Sequence, residues 1–233
     1  MNKKKIVTVV CSAALMLSLV IGGTLAYLTD NADVTNTFTV GDIDIALEEP
    51  GWDDTTDGKD ILPGDSFIKD PTVMMLDGDA YVRFKVEFID NSAATPAAIT
   101  DPARIAAILE CVCYDSTFTP ANTAVSPTVT AAEGTLLESG SYTTAQRAAF
   151  AGINPAFTKD AVKSSDATGT YYYNCPTIVT EGTSAPLFTH IIVPTDYDRA
   201  QLQALGAFSL KITAEAIQTE GFVDAAAAFA ELG

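Results

Sequence analysis

Histidine, cysteine and the carboxylates are the side chains that could do chemistry in this chain, and their spacing limits what it would be. His190 is the sole histidine and has no His or Cys companion at ligand spacing. A zinc-binding His-Glu-x-x-His helix needs two histidines, so His190 reads as a structural residue. Cys111, Cys113 and Cys175 include no pair with the two-residue gap of a zinc knuckle. There is no Gly-x-Ser-x-Gly nucleophile elbow and no glycine loop of the kind that cradles phosphate. Asp53, Asp54, Asp57 and Asp60 crowd around Gly58 in the manner of a calcium loop. Counted from Asp53, however, the twelfth position falls on Gly64, where an EF-hand requires a bidentate Glu. A solvated turn is the leading reading there, with weak calcium binding by clustered carboxylates as its alternative. The expectation is a protein with no catalytic residues, no metal site and no cofactor.

Charge and the N-terminal pattern bear on partners and destination. A formal charge of −17 repels phosphates, so nucleic acid is not an expected partner, and neither are anionic headgroups. Lys3, Lys4 and Lys5 precede an apolar run from Ile6 to Ile21, which is the order of a secretory signal peptide. Thr24 and Ala26 are small residues at −3 and −1 of a cut that would make Tyr27 the mature N-terminus. A retained anchor is the alternative, but the run is short of the roughly 20 residues of a membrane span. Membrane contact is therefore expected through residues 1–26 alone, before cleavage, and loss of the three lysines would take the charge to −20. Cys11 would leave with the signal. The three remaining cysteines allow at most one internal disulfide, Cys175 with Cys111 or Cys113; export permits such a bond without requiring it.

The elements that would position these residues are mostly strands. Ile43, Ile45 and Leu47 alternate with polar or small residues, and Phe67–Val73 follows a Pro63-Gly64 turn. The clearest alternation puts Tyr81, Arg83, Lys85 and Glu87 on one face and Val82, Phe84, Val86 and Phe88 on the other. Arg83 and Lys85 are expected to pair with carboxylates on neighbouring strands. Asp77-Gly78, just before, is a hairpin-type turn. Further strands are predicted at Gly169–Asn174, Ala185–Pro194 and Phe208–Gln218. Residues 91–166 break the pattern and read as an inserted segment decorating one end of the domain. It carries two helices, one capped by Asp101-Pro102 and one over Thr144–Gly152. An Ala-rich helix is expected after Phe222. The organisation is a signal peptide (1–26) and a single, mainly β, antiparallel sandwich domain (27–233).

The residues Gly22-Gly23-Thr24-Leu25-Ala26-Tyr27-Leu28-Thr29-Asp30 and Asn36-Thr37-Phe38-Thr39-Val40-Gly41, with the strand after them, resemble the TasA/camelysin-like exported proteins of Gram-positive bacteria. Ala80-Tyr81-Val82-Arg83, Gly169-Thr170-Tyr171-Tyr172-Tyr173 and the Ala-Glu-Ala-Ile-Gln ending at Gln218 extend the resemblance along the chain. It implies cleavage by a SipW-type signal peptidase and a jelly-roll sandwich. It also implies export and self-assembly into fibres of a biofilm matrix or cell-surface layer, with other matrix proteins as further candidate partners. Strand exchange would supply the means, because an open sheet edge can be satisfied by an extended segment of another subunit. Residues 27–40 contain no proline and carry Leu28, Val34, Phe38 and Val40, which suits a donor; the alternative makes them the first strand of their own sheet. Two rival functions stand beside this reading: a monomeric surface binding module or adhesin, and a camelysin-like peptidase, for which the metal ligands are not evident.

Overall fold

A computed structural model describes residues 43–51, 58, 60–119 and 144–231. Eleven strands and four α-helices lie among them. Three antiparallel sheets share one apolar core, as in a β-sandwich.

The largest sheet rests on the alternation at 80–88. β4 (Ala80–Asp90) buries Val82, Phe84, Val86 and Phe88 and pairs along its whole length with β11 (Phe208–Gln218), from Ala80↔Gln218 to Asp90↔Phe208. On its other side lie β8 (Thr170–Asn174) and then the two-residue β7 (Thr158–Lys159); the short β5 (Ala97–Ala98) pairs with the end of β4. Tyr171 and Tyr173 of β8 are buried, Tyr171 edge-to-face with Phe88 and the two tyrosines edge-to-face with each other, a geometry aromatic rings favour.

Two smaller sheets complete the core. One orders β1 (Asp44–Glu48), β3 (Thr72–Asp77) and β9 (Ser184–Pro186); the other orders β2 (Ser66–Ile68), β10 (His190–Ile192) and β6 (Val112–Cys113). The turn at Asp77-Gly78 is present, with Gly78 at φ +73°, but it does not make a hairpin. β3 and β4 belong to different sheets, because the 179–183 segment takes their hydrogen bonds: Met75 N–H donates to Thr183 O and Ala80 N–H to Val179 O, both at 3.0 Å. The turn is a corner between layers.

α1 (Pro102–Cys111) starts where Asp101 accepts a hydrogen bond from Ala103 N–H at 3.0 Å, and Val112 caps its C-terminal end in extended conformation. Cys111 is therefore helical, whereas Cys113 lies in a strand. The described parts of 91–166 do more than decorate: Ile105, Ile108, Cys111, Val112 and Phe157 all sit in the main core. α2 (Thr144–Phe150) brings Arg147 and Phe150 beside β6, and α3 (Arg199–Leu205) is closed by an Asp198/Gln201 capping box.

α4 (Ala225–Glu231) is the expected Ala-rich helix, docked through Ala225, Ala228 and Phe229 next to Tyr81. Arg83 fixes it: the guanidinium lies 4.7 Å from the Phe229 ring centroid and 4.9 Å from that of Tyr172, and it pairs with Glu215 of β11 at 2.5 Å. Arg83 thus finds its carboxylate on the neighbouring strand as expected. Lys85 pairs with Glu87 on its own strand (3.1 Å), and Lys211 of β11 reaches the same carboxylate at 3.2 Å.

Candidate functional site

A cleft of about 610 Å³ lies at the side where β11 ends the large sheet. Phe67, Ile191 and Val193 line it from the small-sheet side, and residues 205–210 form the opposite wall. Glu49 and Lys69 also line it, joined by an ion pair of 2.9 Å. Among the described residues β11 pairs on one side only, with β4. An eleven-residue strand whose outer edge has no strand partner among the described residues, beside a partly apolar cleft, has the form of a site for extended backbone: main chain could add to the edge and side chains could enter the cleft.

Each wall has its own anchor. On the small-sheet side the turn after β1 is tied down by Asp70, which is fully buried in the crossing from β2 to β3. Asp70 Oδ1 accepts the Gly51 N–H at 2.9 Å, while Oδ2 has no hydrogen-bond partner among the described residues. A Cβ on Gly51 would fall 2.1 Å from Ile68 Cγ2, so glycine is what lets the turn lie this close. Burial pushes the Asp70 carboxyl up to about 6, with the nearby Glu49 charge adding to it and the Gly51 hydrogen bond and Lys69 opposing it.

On the β11 side the anchor is Arg104 of α1. Its Nε donates to Leu205 O (2.8 Å), its Nη2 to Ala207 O (3.1 Å), and its two terminal nitrogens hold the Asp90 carboxylate at 2.8 and 3.2 Å. The Arg104 hydrogen bonds hold Asp90 well below the usual carboxylate range, and Ser92 adds to the effect.

The residues singled out in the sequence are placed as follows. Thr24, Ala26, Tyr27, Leu28, Val34, Phe38 and Val40 lie outside the described residues, as do Asp53, Asp54 and Asp57. Asp60 is exposed at the cleft, with φ +49°. Cys111, Cys113 and Cys175 are buried free thiols, so Cys175 is bonded to neither of the others. Each sits in its own setting. Cys111 Sγ is within 3.5 Å of Ala107 O in α1, Cys175 Sγ contacts Thr177 Oγ1 at 3.3 Å, and Cys113 packs with Ile192 and Phe150 apart from the main core. Burial pushes the thiols of Cys111 and Cys113 up to about 12 and 11, which makes them poor nucleophiles.

His190 is fully buried, its Nδ1 2.8 Å from Thr189 Oγ1 and its ring edge-to-face with Phe118. Burial lowers its pKa to about 4 against the opposing pull of Asp115, so the ring is neutral at physiological pH. Among the described residues, no three of His, Cys, Asp and Glu come together to hold a metal ion. The donor set of a zinc peptidase is not assembled by these residues.

Sequence reasoning missed Asp70 and Arg104. The sequence does hold a signal for Arg104: basic residues are scarce, and one directly after the Asp101-Pro102 cap of an amphipathic helix needs a carboxylate somewhere.

No curated protein and no solved structure matches the chain. Residues 1–92 match the family model described as camelysin metallo-endopeptidase. That stretch includes β1 to β4, Glu49 of the small-sheet wall and Asp70, which ties down the turn beside it. Over these residues the chain is similar to the camelysin family.

Proposed function

We propose that this is a secreted structural protein which assembles into extracellular fibres of a biofilm matrix or cell-surface layer by exchanging an N-terminal strand between subunits. The observation that carries the reading is the outer edge of β11, which has no strand partner among the described residues and lies beside the cleft. Residues 27–40 are the proposed donor: they precede β1, lack proline and offer Phe38 and Val40 as apolar anchors. A SipW-type signal peptidase would free them by cutting after Ala26. The family match in residues 1–92 supports a relation to exported proteins of this kind.

The test is electron microscopy and sedimentation of the mature chain, with and without residues 27–40. The full chain is expected to form long fibres and the deletion to remain folded but unpolymerised. Losing a strand with two large apolar side chains removes roughly 3–6 kcal/mol, so the truncated form melts lower, and the free 27–40 peptide restores part of the difference. Fibres of normal length from the truncated chain would show that the segment belongs to its own subunit. A persistently monomeric full chain would favour the binding-module reading. The description of the matching family names a peptidase, which stands behind the binding-module reading; stoichiometric zinc together with chelator-sensitive casein cleavage by the purified chain would establish it.

A further inference from the structure

We infer that Arg104 is the positioning residue of the strand-accepting cleft, so that α1, from the segment between the sheet strands, governs assembly. The inference rests on the strand-exchange reading and adds to it the residue that shapes the acceptor. The wall at 205–208 has little regular structure of its own, since α3 ends at Leu205 and β11 starts at Phe208. Between them Gly206 adopts φ +60°, ψ −172°, a region essentially reserved for glycine. Such a junction keeps its shape only if its surroundings determine it.

Arg104 supplies that determination. One planar guanidinium takes the carbonyls of Leu205 and Ala207, on either side of Gly206, and the carboxylate at the end of β4. Asp90 is the β4 residue paired with Phe208, so the clamp sets where β11 begins relative to β4. A Cβ on Gly206 would lie 2.8 Å from Arg104 Nη2, which shows how closely the two are apposed. α1 is itself fixed from beneath by Ile105 and Ile108 in the core, and at its C-terminal end Tyr197 Oη donates to Glu110 Oε2 at 2.9 Å. Arginine is needed because its fork serves three acceptors in fixed directions, whereas a lysine ammonium is a point charge on a flexible stem.

The experiment uses the full mature chain and reads two quantities: the lowest concentration at which fibres sediment, and the melting temperature. Arg104→Gln is expected to raise the critical concentration about tenfold, the size of one lost charge-assisted hydrogen bond, with Arg104→Lys in between. Tyr171→Phe removes the hydrogen bond from Tyr171 to Asp166 on β8, which lies across β4 from β11, and serves as the control destabilised elsewhere. It is expected to melt lower yet polymerise near the wild-type concentration. Polymerisation of Arg104→Gln at the wild-type concentration would overturn the assignment. So would a defect in Tyr171→Phe as large as that of Arg104→Gln, because the role would then be general stability. Should Arg104→Gln fail to fold, Arg104→Lys against Tyr171→Phe makes the same distinction. If the wild-type chain itself forms no fibres, the strand-exchange reading falls first and the Arg104 assignment with it.

Discussion

The two walls of the cleft are held by opposite kinds of chemistry. At the β11 wall, Arg104 and Asp90 meet near solvent with complementary charge, and the guanidinium donates to carbonyl and carboxylate oxygens alone. At the small-sheet wall, Asp70 is sealed from water with one oxygen hydrogen-bonded and the other without a partner among the described residues. The first arrangement changes little between mildly acid and neutral pH, because Asp90 stays ionised throughout. The second changes with every proton Asp70 gains or loses. A cleft built this way has one wall set by geometry and one tuned by protonation.

The largest expected effect comes from removing the close approach at the tuned wall. Gly51→Ala puts a methyl group against Ile68 Cγ2 and near Asp70 Oδ1. The overpacking should cost roughly 1–3 kcal/mol in chemical denaturation. Wild-type stability in that variant would mean that the Gly51–Asp70 contact carries no weight, and the contrast between the walls would collapse.

An effect of similar size, growing with pH, is expected from Asp70→Asn. The folded-state pKa of Asp70 is raised to about 6 from 3.8, so its protonated form is favoured by folding. The associated penalty is absent below pH 4 and grows as pH rises through 6. Asn cannot ionise, so the variant should gain on wild type by about 1–3 kcal/mol between pH 4 and pH 7.5. His190 works against this in the same window. Its folded pKa is lowered to about 4 from 6.5, so stability is lost as pH falls from 6.5 through 4. Wild-type stability should therefore look flat there, while Asp70→Asn alone slopes downward towards acid. Parallel pH profiles for wild type and variant would mean that Asp70 does not titrate in this range.

The smallest effect is expected from Asp90→Asn. The pair is partly exposed, where solvent screening leaves an ion pair little to contribute. Its thermal stability should fall slightly and by the same amount from pH 5 to pH 8. A pH-dependent loss would show that the β11 wall is tuned as well.

The parts of this molecule legible in the sequence are those governed by local periodicity. β4 and β11 alternate cleanly, Asp101-Pro102 announces α1, and the Ala-rich run gives α4, because each depends on neighbours within a few positions. Asp77-Gly78 makes a corner where its residues signal a hairpin, because a turn signal fixes reversal but not the partner strand. Residues 179–183 decide that from a hundred positions away. Both walls of the cleft are hidden in the sequence for the same reason. Arg104 meets Leu205 and Ala207 across more than a hundred residues, and Asp70 is distinguished only by what covers it. Of the site, the scarcity of basic residues is the signal available beforehand.

The pairing of β4 with β11 also has a consequence for timing. Ala80 meets Gln218 across 138 residues of chain, so the longest ladder in the domain cannot close while the polypeptide is still being delivered N-terminus first. Until residues 208–218 emerge, β4 has β5 and β8 to pair with but lacks its principal partner, and Arg83 lacks both Glu215 and Phe229. Contacts of such wide sequence separation make folding slow and late. The chain is thereby kept from finishing its sandwich, and from completing the edge of β11 proposed to accept a neighbour, until residues 208–218 have left the machinery that makes or moves it.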